Sequence, residues 1–217
     1  MDKYSEVEAK FRTTALALDI DRVLAHHNDA PVINSKEYRL RKIQSAVGTD
    51  TFYELGTGVV RYRRDTKLSD YSCSGPAKDR SSKVSPDPYC CLTVKSRKST
   101  SDMLNRHEVD LWVGNVHPLD FLEFSKMLGG TELFTIKKNY VVYELHSDEA
   151  EVCLALYGVT RADGSEPNKF LEIEIEKTSL CSAERGMELL RDWCGFIQDN
   201  LAVVGPVNIS LFELYSK

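Results

Sequence analysis

The sequence predicts a mainly β, α+β fold in which eight strands close into a barrel. Three observations carry that expectation. Eight segments alternate apolar and polar residues at period two and are rich in Val, Ile, Tyr, Phe and Thr. Helical periodicity is confined to three stretches between and after them. Closure is the natural way to remove the unpaired edges that so many strands would otherwise expose. At 217 residues the chain can bury a sizeable core, and residues 1–217 read as one domain.

The chain opens with Glu6-Val7-Glu8-Ala9-Lys10-Phe11, an alternating run whose charges share one face of a strand. Residues 14–28 read as a helix, with Leu16, Ile20, Val23 and Leu24 near helical spacing and Asn28 and Pro31 as the stop. From Glu37 period two returns, giving candidate strands at 37–44, 50–55, 58–64, 89–97, 105–113, 133–145, 151–157 and 170–176. Residues 69–88, rich in Ser, Pro and Asp, read as a long loop, and 161–169 as a second one.

A helix over 117–128 is entered through Pro118 and ended by Gly129-Gly130. Another spans 182–199, with Ser182 as its cap. On it Met187, Leu190, Trp193, Cys194 and Ile197 fall on one flank and read as core rather than a cofactor site. The apolar tail from Val207 to Leu214 reads as a further packed strand or turn, completing a C-terminal unit at 182–217.

Composition excludes several functions. The 28 Lys+Arg stand against 33 Asp+Glu, a net −5, which disfavours extended DNA binding. No stretch approaches the roughly 20 apolar residues of a membrane helix, and the N-terminus lacks an apolar signal core, so a soluble cytoplasmic protein is expected. The six cysteines contain no CxxC pair and read as reduced packing thiols. There is no GxxxxGK phosphate loop and no GxSxG elbow.

The informative feature is the parity of the charges. Glu6, Glu8 and Lys10 share a face; so do Arg61 with Arg63, Thr93 with Lys95 and Arg97, Arg106 with Glu108 and Asp110, and Glu172 with Glu174 and Glu176. Taken one strand at a time, such a face is a face in water. Taken jointly, the signs are sorted: residues 61–106 carry 11 Lys+Arg against 5 Asp+Glu, a net +6, leaving −11 on the rest. If the charged face turns inward, the lumen sets acids beside a basic wall. Enclosed carboxylates need cations or hydrogen-bond donors. Paired Glu residues suit a hard divalent cation such as Mg²⁺ or Mn²⁺, and the basic wall suits a polyphosphate.

These segments resemble the CYTH or triphosphate tunnel metalloenzyme superfamily, which includes class IV adenylate cyclases and thiamine triphosphatases. Glu6-Val7-Glu8-Ala9-Lys10 matches the ExExK signature. Asp50-Thr51-Phe52-Tyr53, Val60-Arg61-Tyr62-Arg63-Arg64, Leu92-Thr93-Val94-Lys95, Arg106-His107-Glu108, Lys137-Lys138 and Phe170-Leu171-Glu172-Ile173-Glu174 follow in the family's order. The resemblance runs from about residue 5 to 176, with a weaker echo at Ser210-Leu211-Phe212-Glu213-Leu214.

The resemblance implies an eight-stranded antiparallel tunnel with helices packed outside. It implies that Glu6, Glu8, Glu172 and Glu174 hold Mg²⁺ or Mn²⁺, with Glu108 as a further acidic contributor. Lys10, Arg61, Arg63, Lys95, Arg97, Arg106 and one of Lys137 or Lys138 would hold the phosphates. Catalysis would rest on Glu6, Glu8, Glu174 and Lys10, one carboxylate orienting or deprotonating the attacking water. The implied activity is a metal-dependent phosphohydrolase acting on inorganic triphosphate, a nucleoside or thiamine triphosphate, or an RNA 5′-triphosphate end. A cyclase making cyclic AMP from ATP and a non-catalytic polyphosphate- or nucleotide-binding module are the alternatives. Two departures stand out. The Asp that the family often places before the EIE strand is replaced by Leu154-Ala155-Leu156-Tyr157-Gly158, and the Lys-rich strand lacks the expected Arg.

Overall fold

The computed structural model describes residues 5–56, 58–73, 89–95, 104–114, 117–176, 183–207 and 209–216. In chain order these form β1 (Ser5–Thr13), α1 (Ala17–His26), β2 (Val32–Ile33), β3 (Lys36–Glu37), β4 (Arg39–Leu55), β5 (Gly58–Ser72) and β6 (Tyr89–Lys95). There follow β7 (Leu104–Gly114), α2 (Pro118–Met127), β8 (Thr131–His146), β9 (Glu151–Arg161), β10 (Asn168–Glu176), α3 (Ala183–Asn200), β11 (Val203–Val204) and α4 (Leu211–Tyr215). Among the described residues no helix is long and apolar enough to cross a membrane.

The sheet runs β10-β9-β8-β4-β5-β6-β7-β1, with every pair antiparallel, and it returns on itself. β1 pairs with β7 through its first half, Glu6 opposite Arg106, and with β10 along most of its length, Lys10 opposite Glu172. Eight strands therefore form a ring of pairings, to which the short β11 adds at the end of β1. The ring has the expected number of members but not the expected set. The candidates 37–44 and 50–55 are one strand, β4, which pairs with both β5 and β8 across Gln44 to Thr49, with a shift of register against β5 between Ser45 and Ala46. The opening run takes the vacated place as β1.

Gly48 explains the fusion. In sequence it looks like a break, but in β4 it faces Asp65, and a Cβ there would collide with the Asp65 carboxylate and lie 2.6 Å from the Arg64 carbonyl oxygen. The glycine marks a close approach inside a strand rather than a turn. β5 likewise extends to Ser72, so residues 69–72 of the expected loop are strand; residues 74–88 lie outside the described residues.

Directly paired residues share a face, so the register sorts side chains unambiguously. One face carries Val7, Ala9, Phe11, Leu171, Ile173 and Ile175 from β1 and β10, with Val152, Leu154 and Leu156 from β9. These pack against Leu189, Leu190, Trp193 and Ile197 of α3 and Ile20 and Leu24 of α1. The flank expected to be core is core. α2 covers the same face further round, where Phe121 stacks on Tyr62 and meets Tyr53 edge-on. Pro118 opens α2 and Gly129 ends it at φ +75°, as the sequence predicts, while His117 caps it.

α4 differs from expectation. The tail folds as a short helix rather than the expected strand or turn, started by a capping box between Ser210 and Glu213. It packs on the opposite face of the sheet, the one bearing the charges. There Phe212 meets Phe52 and Phe134, and Tyr215 joins Ile136, Val159 and Phe170. The rule of helices outside therefore holds for α1, α2 and α3, and α4 seals apolar and aromatic side chains at one end of the other face.

Candidate active site

The face turned away from α3 gathers the chemistry. On β1 and β10, Glu8 stands opposite Glu174 and Lys10 opposite Glu172. Carboxylate oxygens of Glu8, Glu172 and Glu174 all lie within 4.8 Å of one another. Glu8 is 4% exposed and Lys10 6%. Lys10 Nζ is 3.2 Å from Glu172 Oε1, and the Tyr157 hydroxyl donates to Glu172 Oε2 at 2.9 Å. Three carboxylates this close repel one another, and burial sharpens the repulsion by removing water.

The donor set fits a hard divalent cation. Bonds of about 2.1 Å place opposite ligands of an octahedral ion about 4.2 Å apart, so a shift of a few tenths of an ångström brings these oxygens into range. An all-oxygen set of this kind suits hard cations rather than softer metals.

A second cluster lies on the same face, across β9 and β8. Asp50 of β4 is fully buried, and Arg63 grips it with two hydrogen bonds, Nε to Oδ1 at 2.9 Å and Nη2 to Oδ2 at 3.2 Å. Lys138 Nζ reaches Asp50 Oδ2 at 3.4 Å, and Arg61 lies 4.0 Å away while donating to Thr93 Oγ1 at 2.8 Å. Burial by itself would raise the Asp50 pKa, but Arg63, Lys138 and Arg61 outweigh it and hold the carboxyl far below the usual range. Three cations thus surround one anion.

Burial, together with the neighbouring Arg63, lowers Lys138 to about 8. On β5, two residues beyond Arg63, Asp65 accepts from the Tyr140 hydroxyl at 2.9 Å, and burial raises its pKa despite Arg63.

Tyr157 joins the two clusters. Its hydroxyl is on Glu172, and Lys138 Nζ stands 5.1 Å from the centre of its ring. Burial and the adjacent Glu172 push the phenol well above its ordinary range, so it stays protonated and remains a donor.

Of the residues singled out from the sequence, the structure brings Glu8, Glu172, Glu174 and Lys10 into one group and Arg61, Arg63 and Lys138 into another. Lys138 rather than Lys137 belongs to the basic group; Lys137 is one residue out of phase and exposed. Glu6 pairs with Arg106 and Lys95 with Glu108 along the backbone, but these four side chains lie outside those described, and Arg97 lies outside the described residues. Asp50 and Tyr157 were not singled out for a role. The Asp50 parity with Phe52 was legible, but its pairing with Arg63 depends on strand register.

No family model and no curated protein sequence matches the chain. Solved structures do. The PH1819 protein from Pyrococcus horikoshii OT3 is 17% identical over 96% of this chain and 97% of that one, with a TM-score of 0.61. The PH1012 protein from the same organism is 19% identical over 90% and 93%, with a TM-score of 0.54. Both likenesses span whole chains and show a shared fold. The S. pombe Pct1 RNA triphosphatase, in complex with the Spt5 CTD, is 12% identical over 92% and 88%, with a TM-score of 0.43, too loose to bear on fold or activity.

Proposed function

We propose that the ring of strands closes as a barrel and that the protein is a divalent-metal-dependent triphosphatase of the tunnel type, working on the enclosed face. The observation that carries this reading is the three carboxylates within 4.8 Å of one another, on the same face as Arg61, Arg63 and Lys138. A stabilising core has no use for so many enclosed charges, because desolvating them is costly. A polyphosphate bound through a cation satisfies both clusters at once.

In this reading Glu8, Glu172 and Glu174 hold Mg²⁺ or Mn²⁺, with Glu6 and Glu108 as further contributors by position. Bound there, the ion supplies charge neutralisation at phosphate oxygens. Arg61, Arg63, Lys138 and Lys10 fix the anion and offset charge that builds as the terminal phosphorus–oxygen bond breaks, with Lys95, Arg97 and Arg106 as further candidates. One carboxylate orients the water that attacks the terminal phosphorus. Phosphoryl transfer needs chiefly such positioning and neutralisation. The substrate is inorganic triphosphate, a nucleoside or thiamine triphosphate, or an RNA 5′-triphosphate end, hydrolysed to release orthophosphate.

The test is a panel of these triphosphates with Mg²⁺ and with Mn²⁺, scored for orthophosphate, pyrophosphate and cyclic nucleotide. Orthophosphate release is expected, falling by at least about 10²-fold in Glu8→Ala and in Glu174→Ala, the scale of losing a main electrostatic contributor. Cyclic nucleotide and pyrophosphate from ATP would make the protein a cyclase. Activity unaffected by both substitutions would remove the carboxylate cluster from the reaction.

A further inference from the structure

We infer that Tyr157 is a positioning residue which sets the orientation of Glu172 toward a bound divalent cation, and which couples that cation's site to the phosphate-binding lysine Lys138. The inference rests on the metal-dependent reading of the carboxylate cluster. Its basis is geometric. Glu172 has both of its oxygens engaged, Oε1 by Lys10 at 3.2 Å and Oε2 by the Tyr157 hydroxyl at 2.9 Å. A carboxylate engaged at both oxygens has its orientation restricted. A metal ligand oriented by a neutral donor is the usual arrangement around protein-bound cations, and losing that donor weakens metal binding without removing a ligand.

The Tyr157 ring is itself closely packed. It is buried, packs on Phe170 with centroids 5.6 Å apart, and faces the Lys138 ammonium at 5.1 Å. The hydroxyl and the ring therefore report to different clusters: the first to Glu172, the second to Lys138 and through it to Asp50. A phenol also suits the place electrically. Another carboxylate here would add negative charge to three already within 4.8 Å, whereas a hydroxyl donates to one of them.

The two halves of the side chain can be separated. In the purified full chain, Mn²⁺ affinity is measured by the electron paramagnetic resonance of free Mn²⁺, and inorganic tripolyphosphate affinity by calorimetry without metal. Tyr157→Phe keeps the ring and loses the hydroxyl; its Mn²⁺ dissociation constant should rise by about 10–100-fold, with tripolyphosphate binding unchanged. Tyr157→Leu, which also loses the ring, should weaken both. An unchanged Mn²⁺ constant in Tyr157→Phe, with Mn²⁺ binding lost in Glu172→Gln, overturns the role given to Tyr157 and leaves the triphosphatase reading standing. Equal loss of Mn²⁺ and tripolyphosphate binding in Tyr157→Phe also overturns it, since that is the mark of a purely structural residue. Mn²⁺ binding unaffected by Glu172→Gln and Glu8→Gln overturns the metal site beneath it.

Discussion

Single residues divide into those whose role the sequence announces and those that acquire one from their neighbours. Glu8, Lys10, Glu172 and Glu174 belong to the first kind, because alternation along a strand already places them on one face. Asp50 and Tyr157 belong to the second. Nothing local distinguishes Asp50 from a surface acid; it becomes the anchor of the basic cluster because β4 lies beside β5 in a register that sets it opposite Arg63. Lys138 shows the same dependence, since its adjacency to Lys137 leaves two candidates until a face is assigned. Its low pKa has a measurable consequence. Lys138 is charged below about pH 8 and loses that charge as pH rises through it, so tripolyphosphate affinity should fall with rising pH across that value. Lys138→Arg, which cannot deprotonate in this range, should abolish the step. A step of the same size in Lys138→Arg would assign it to another group.

At the level of elements, periodicity located the strands well and their boundaries less well. Period two identified the material of β1, β6, β7, β8, β9 and β10, and the punctuation of Pro118 and Gly129 bounded α2. It split β4 because a glycine amid small and polar residues looks like a turn, and it ended β5 early because Asp65 to Ser72 carries little apolar alternation. Both long strands are held by partners on either side, which local pattern does not record. The reading of Gly48 as a close approach is testable. Gly48→Ala drives a methyl group against the Asp65 carboxylate and the Arg64 carbonyl, and backbone cannot yield as a flexible side chain does. The substitution should cost about 1–3 kcal/mol in denaturant unfolding. A cost near zero would mean that the strand yields there.

Across the whole molecule, apolar and charged side chains sort to opposite faces of the ring of strands. The largest apolar cluster lies between the ring and its covering helices, and the face turned away from those helices collects opposed charges. Charges held at close quarters store repulsion that a correct ligand relieves, so binding should stabilise the fold. Mn²⁺ and tripolyphosphate together should raise the melting temperature more than either alone, by an amount equivalent to about 2.7 kcal/mol at a hundredfold excess over the dissociation constant. Chelation with EDTA should reverse the metal's share. No shift with both present would mean that the clustered charges bind neither. The sequence by itself determined where most of the strand material lies, which charges of β1, β5 and β10 share a face, and that acids and bases are sorted along the chain, because these are properties of period and order. The tertiary structure alone decided which acid meets which base, that Lys138 and not Lys137 joins the basic cluster, and that Asp50 and Tyr157 contact its members. Those pairings cross strands far apart in sequence, and register between strands is fixed by contacts that no single segment contains.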